Sequence, residues 1–148
     1  MAKLNLKQAI QTGLFSFALP IRVYFEDTDA GGVVYHAQYV KFLERARTEW
    51  LRSLGYTNSE LAQLHSVVFI VSEINVQFLR PARLDDLIEV SASIVELTRV
   101  RATFSQEIRR AEELLLTARI TVATVNIKTL KPCEMPQELQ RKMMAVAK

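Results

Sequence analysis

The residues best suited to chemistry lie in one short stretch. Glu26, Asp27, Asp29 and His36 supply three carboxylates and an imidazole, and Gly31-Gly32 falls between them. Two adjacent glycines permit backbone angles that other residues resist, so Asp27 to Gly32 reads as a tight, specific loop. A helix is predicted to begin just after His36. The first N–H groups of a helix have no partner within it and carry partial positive charge. A carbonyl oxygen placed against them would be polarised as in an oxyanion hole, where one donor is worth roughly 10² to 10³ in rate. A carboxylate beside such donors can attack a carbonyl carbon or take a proton from an attacking water. The same residues have plainer uses. Asp29 is an ordinary turn residue by type. Glu26 and Asp27 would serve as a solvated strand end or as partners for Arg22, and His36 as a structural histidine at a helix start. Asp27, Asp29 and His36 are also acceptable ligands for a divalent ion, but no fourth ligand follows at a recognisable spacing and His65 is remote. By themselves these residues specify a carboxylate near a helix N-terminus.

The elements that must position them follow from periodicity. Ile21, Val23 and Phe25 alternate with polar neighbours, which predicts a strand over Ile21 to Glu26. Val40, Leu43, Ala46, Trp50, Leu51 and Leu54 recur at steps of three and four, which predicts a long helix over Ala37 to Leu54. Arg45 and Glu49 are spaced to pair on its outer face, and Gly55 is a natural stop. A shorter helix fits Ser59 to His65, with Ser59 as its cap. From Val67 the period becomes two. Strands are expected through Ile74, Val76 and Phe78 up to Pro81, through Ile88 to Ile94, through Ala102 to Ile108, and over Leu115 to Ile127. The links Arg80 to Asp86, Thr98-Arg99 and Arg110 to Glu112 are short, which predicts consecutive antiparallel neighbours. Pro136 is placed to open a terminal helix with Leu139, Met143 and Val146 on its apolar side. An antiparallel sheet needs one face covered, and the long helix is the one large amphipathic element available. That helix also carries Lys41, Glu44, Arg45, Arg47 and Arg52, so a second subunit is expected to cover part of the remaining surface.

Composition sets the limits. The chain has 148 residues, 49% hydrophobic and 24% charged, which suits a single domain with its own core. Its formal charge is +3, small and scattered, so nucleic-acid binding is not expected. The lone Cys133 allows no internal disulfide, and no ligand partner stands near it. Residues 1–19 read as an N-terminal leader, 20–136 as the domain, and 137–148 as a C-terminal helix or tail. Lys3 and Lys7 before an apolar stretch superficially resemble an export signal. Gln8, Gln11 and Thr12 interrupt that stretch and no small-x-small cleavage site follows, so a cytoplasmic protein without a membrane span is expected.

The run Asp27-Thr28-Asp29-Ala30-Gly31-Gly32-Val33-Val34-Tyr35-His36, with Tyr39-Val40 and Phe42-Leu43-Glu44-Arg45-Ala46-Arg47, closely resembles the 4-hydroxybenzoyl-CoA thioesterase-like hotdog family. Its nearest branch is the bacterial Tol–Pal-associated acyl-CoA thioesterases. Val76-Gln77-Phe78, Arg80-Pro81-Ala82-Arg83-Leu84-Asp85-Asp86, Lys131-Pro132 and Pro136 extend the likeness over about residues 20–136. The resemblance implies an α+β hotdog fold, an antiparallel β-sheet wrapped around a long central α-helix, assembled as dimers or tetramers with sheets joined edge to edge. It implies acyl-CoA hydrolysis without a cofactor. The family's catalytic Asp falls on Asp29 and its carbonyl-polarising amide on His36, with the His36 side chain a secondary participant. No motif fixes the CoA phosphates, so Arg80, Arg83, Arg99, Arg101 and Lys131 are candidates by charge alone. An acyl carrier protein is a further candidate partner. Three rivals can be set against this. A hotdog dehydratase would need a His-Phe-Pro-Gly context that is absent. An acyl- or carrier-binding protein of the cell envelope would need neither Asp29 nor His36. A metal-dependent hydrolase would need more ligands.

Overall fold

The structure, a computed structural model, describes residues 17–147. The leader expected over residues 1–19 lies mostly outside that range. The elements are β1 (Ala18–Arg22), a 3-10 turn (Phe25–Asp27), α1 (Gln38–Ser53), α2 (Asn58–His65), β2 (Val67–Phe78), β3 (Leu87–Ser91), β4 (Ser93–Leu97), β5 (Arg101–Arg110), β6 (Glu113–Asn126) and α3 (Gln137–Val146). The sheet runs β1-β3-β5-β6-β2, with β4 also paired to β5, and every pairing is antiparallel. It curves around α1, which is the hotdog arrangement. Among the described residues no helix is long and apolar enough to cross a membrane.

The apolar stripe of α1 is wider than its predicted register. Tyr39 and Phe42 are buried with Leu43, Ala46, Trp50 and Leu51, whereas Val40 and Leu54 are only half-buried. Trp50 meets Phe104 of β5 edge-on, ring centroids 5.1 Å apart. Among the polar groups buried here, Gln106 joins the helix to the sheet. Gln106 of β5 donates from Nε2 to the carbonyls of Leu43 (3.1 Å) and Ser91 (3.0 Å), and its Oε1 accepts from Arg47 (3.0 Å). A buried amide with each partner supplied costs little and fixes helix against sheet. Arg45 does not pair with Glu49. Its guanidinium lies over the Phe42 ring, and Glu49 pairs with Arg52 at 3.1 Å.

Several local expectations are corrected. The first strand starts at Ala18, and its predicted end is the 3-10 turn, because the Tyr24 N–H bonds the Asp27 carboxylate rather than a neighbouring strand. Thr57, not Ser59, caps α2, with its hydroxyl accepting the Glu60 N–H at 3.1 Å. The strand expected over Ile88 to Ile94 is split at Ala92, whose N–H turns to the Phe17 carbonyl at 3.0 Å. Neighbours along the chain are not always neighbours in the sheet. β2 pairs with β6 along its length, and the Leu79 and Arg80 N–H groups both bond the Leu115 carbonyl. The chain then leaves that edge, and Arg80 to Asp86 crosses beneath the start of α1 instead of closing a hairpin.

Candidate active site

Asp29 sits on a small hairpin. Its N–H donates to the Val33 carbonyl (2.9 Å), and its carbonyl accepts the Gly32 N–H (3.0 Å). Gly32 lies at φ +78°, a conformation that favours glycine. The Gly31 N–H donates to Asp29 Oδ1 at 2.8 Å, which fixes one carboxylate oxygen. A Cβ on Gly31 would stand 3.2 Å from that oxygen, so Gly31 serves the carboxylate directly and Gly32 serves the turn of the backbone. Thr28 and Val34 pair across the hairpin. The Tyr35 N–H then bonds the Asp27 carbonyl (3.0 Å), which delivers the chain to His36.

The start of α1 carries no side-chain cap. Gln38 N–H bonds the Tyr35 carbonyl (2.9 Å) and Val40 N–H the Ala37 carbonyl (3.3 Å). The N–H groups of His36 and Ala37 meet no acceptor among the described residues. Both residues are exposed, as is Asp29. The His36 ring rests on Tyr35, centroids 4.4 Å apart. One loop therefore presents a half-anchored carboxylate and, after its return strand, two backbone donors at a helix start.

Asp27 has a different role. It is 4% exposed, and its Oδ2 accepts the Tyr24 N–H at 2.8 Å. It closes the 3-10 turn and is turned away from both solvent and Arg22. Arg22 instead donates to the Asp85 carbonyl (2.8 Å). Among the described residues no three His, Cys, Asp or Glu side chains are grouped closely enough to hold an ion. Cys133 is half-buried, and burial pushes its thiol up from the usual range, as suits an inert thiol.

The platform under the hairpin is the crossing segment, which sequence periodicity missed. The Ala82 carbonyl accepts the Val34 N–H (2.9 Å), and the Ala82 N–H donates to the Tyr39 hydroxyl (2.9 Å). Val33 pairs with Arg83. Tyr39 is 4% exposed, and its ring meets Phe78 at 5.7 Å. Burial pushes its hydroxyl above the ordinary range; the Ala82 N–H and Arg110 oppose this, and Asp86 and Asp29 add to it. Behind the platform, Asp86 Oδ2 accepts from the Arg83 N–H (2.8 Å) and Arg110 (2.6 Å), and Arg110 also grips Glu113. Burial alone would raise the Asp86 carboxyl; the hydrogen bonds of Arg110 and the Arg83 N–H outweigh it and hold the group below its ordinary value. A sequence signal for Tyr39 existed, since it completes the stripe of Phe42, Leu43 and Ala46.

The candidate phosphate contacts separate. Arg80 is paired with Glu113 (3.1 Å) and Arg99 with Glu134 (3.5 Å). Arg101 stands on the outer face of the sheet beside Arg119 and Glu96, and Lys131 is exposed just after β6. Of the five, Arg83 alone borders the hairpin. A cavity of about 320 Å³ also opens between α1 and β2, walled by Trp50, Phe69, Phe104, Val122 and Met143, with Arg47 on its polar side.

Known proteins share the sequence and the fold. Residues 23–143 match the family model described as the thioesterase-like superfamily. The chain is 41% identical over 124 residues to the acyl-CoA thioesterase YbgC of Haemophilus influenzae, covering 84% of this chain and 91% of that one. It is 44% identical over 124 residues to the acyl-CoA thioester hydrolase YbgC of Escherichia coli, covering 83% and 92%. The crystal structure of a probable thioesterase from Bartonella henselae superposes with a TM-score of 0.78 at 37% identity, covering 81% of this chain and 98% of that one.

Proposed function

The chain belongs to the thioesterase-like superfamily, and from that premise we propose that it is an acyl-CoA thioester hydrolase whose reaction centre is the Asp29 hairpin. One observation carries the assignment: an exposed carboxylate, oriented by the Gly31 N–H, shares a loop with the uncapped start of α1. The thioester carbonyl oxygen is placed against the His36 N–H. That donor stabilises the negative charge that develops as the carbon is attacked. Asp29 either attacks the carbon, giving a mixed anhydride that water then opens, or takes the proton of the attacking water. On both routes the C–S bond breaks, CoA leaves as the thiol, and the acid is released.

The oligomer belongs to the same proposal. Among the described residues β2 pairs only with β6, and it exposes Ile70, Val71, Ile74 and Phe78. An apolar strand with an open edge is a template for another strand, and a second copy of β2 satisfies it as a dimer or, with a further interface, a tetramer. Light scattering after size exclusion would return a monomer mass if this is wrong. A link to the Tol–Pal machinery and an acyl carrier partner rest on the family resemblance alone, and a cytoplasmic location on the sequence reading alone.

Thiol release from short-chain, long-chain and aromatic acyl-CoAs tests the reaction. Asp29→Asn keeps the volume and loses the charge, and turnover is expected to fall about 10³-fold with the fold intact. Near-normal turnover by the variant would remove Asp29 from the mechanism. No hydrolysis by the wild type would favour an acyl- or carrier-binding protein.

A further inference from the structure

We propose that Asp27 is the positioning residue of this centre. Its buried carboxylate, by bonding the Tyr24 N–H, sets the separation between the Asp29 carboxylate and the His36 N–H. The proposal deepens the thioesterase reading and rests on it.

Chain order is the first argument. Asp27 stands two residues before Asp29, and its carbonyl accepts the N–H of Tyr35 (3.0 Å), the residue just before His36. The two reacting groups therefore trace back to one residue, one through the chain and the other through a hydrogen bond. Beyond that bond the hairpin continues with Thr28 against Val34 and the Asp29 N–H on the Val33 carbonyl. A tilt at Asp27 is passed to both sides. Anchorage is the second argument. Asp27 Oδ2 accepts the Tyr24 N–H at 2.8 Å, and the Asp27 N–H returns to the Tyr24 carbonyl at 3.0 Å. Tyr24 follows Val23, which is fully buried, donates to the Asp86 carbonyl (2.8 Å) and accepts the Asp85 N–H (3.1 Å). The reciprocal pair thus ties the hairpin to a fixed point of the fold. Burial is the third. Tyr24, Phe25 and Glu26 are exposed, and Asp27 is the buried residue of the turn. The turn has little apolar packing of its own, so these hydrogen bonds hold it. Among the described residues no salt bridge includes Asp27. The role asks for an acceptor rather than a charge, and an Asn oxygen can supply one.

Acyl-CoA hydrolysis by wild type, Asp27→Asn, Asp27→Ala and Thr57→Ala tests this, with kcat taken per folded protein well below each melting temperature. Thr57→Ala is the control, because it strips the same kind of acceptor from the Glu60 N–H at the start of α2. Asp27→Ala is expected to lose about 10²-fold in kcat, the effect of a reacting group displaced by about 1 Å, with KM within about twofold. Asp27→Asn is expected to stay within about threefold of wild type, since its amide oxygen still accepts the Tyr24 N–H. Thr57→Ala is expected to match wild type. Near-normal kcat in Asp27→Ala overturns the proposal, and so does a deep fall in a folded Asp27→Asn, which decides the matter if Asp27→Ala does not fold. A second background separates position from stability. On Asp29→Asn, the further loss from Asp27→Ala is expected to shrink to about tenfold or less, because the carboxylate it positions has lost its charge. An undiminished loss there overturns the proposal. The single variant Asp29→Asn keeps the two claims apart. If it hydrolyses normally, the Asp29 reading falls and the positioning role with it. If it is inactive while Asp27→Ala turns over normally, the positioning role alone falls.

Discussion

The two ends of α1 are built to opposite specifications. At its C-terminal end the protein closes its own groups. Ser53 Oγ donates to the Trp50 carbonyl (2.5 Å), the Gly55 N–H bonds the Arg52 carbonyl (2.9 Å) with Gly55 at φ +90°, and Lys142 of α3 reaches the Leu54 carbonyl (3.0 Å) while its ammonium lies over the Tyr56 ring. At the N-terminal end the cap position is Ala37, and the His36 and Ala37 N–H groups meet no acceptor among the described residues. A helix end normally recruits a side chain for this purpose. On the proposed mechanism, leaving one end open beside an anchored carboxylate forgoes stability in favour of a place for a ligand's oxygen. The difference teaches where to look for chemistry on a helix whose middle is ordinary core.

That contrast can be broken from either end. The largest effect is expected from Asp29→Asn, about 10³-fold in turnover. Tyr39→Phe comes next. It removes the acceptor of the Ala82 N–H and loosens the platform under the hairpin, with a stability loss of about 1–3 kcal/mol in denaturant unfolding and a fall in kcat larger than any change in KM. Ala37→Asp sharpens the comparison by filling the open end. A carboxylate there suits the helix dipole by about 0.3–1 kcal/mol, so the melting temperature is expected to rise while hydrolysis falls about tenfold through the occupied donors. A rise in both would show that the open end plays no part in the reaction. Lys142→Met acts at the other end. It should cost about 1 kcal/mol in unfolding and leave turnover unchanged. The smallest effect concerns acid. Asp86 is held below its ordinary value of 3.8, so its contribution to stability is present above that value and is lost as pH falls through the lower folded one. Melting curves between roughly pH 5 and pH 2 should show the wild type losing more than Asp86→Asn.

The core of α1 and the glycine turn of the loop were legible because both depend on local spacing. Helical periodicity placed α1 to within a residue at each end, and Gly31-Gly32 marked the turn that does orient Asp29. The split at Ala92 was not legible, since Ile88, Val90, Ala92 and Ile94 alternate without a break and only the contact with Phe17 interrupts them. The separate fates of Asp27 and Asp29 were not legible either. Two carboxylates two residues apart look alike until a 3-10 turn buries one.

The chain's own order of residues determined the element types, the family, and which loop carries a carboxylate at a helix start, because each is written in short-range pattern. Tertiary structure alone decided that Arg80 to Asp86 leaves its sheet edge to run beneath that loop. It also decided that Tyr39 and Ala82 clamp it, and that Arg83 rather than its paired neighbours faces it. Those outcomes depend on which distant backbone groups meet, and hydrogen bonds between residues some forty positions apart leave no period in a sequence.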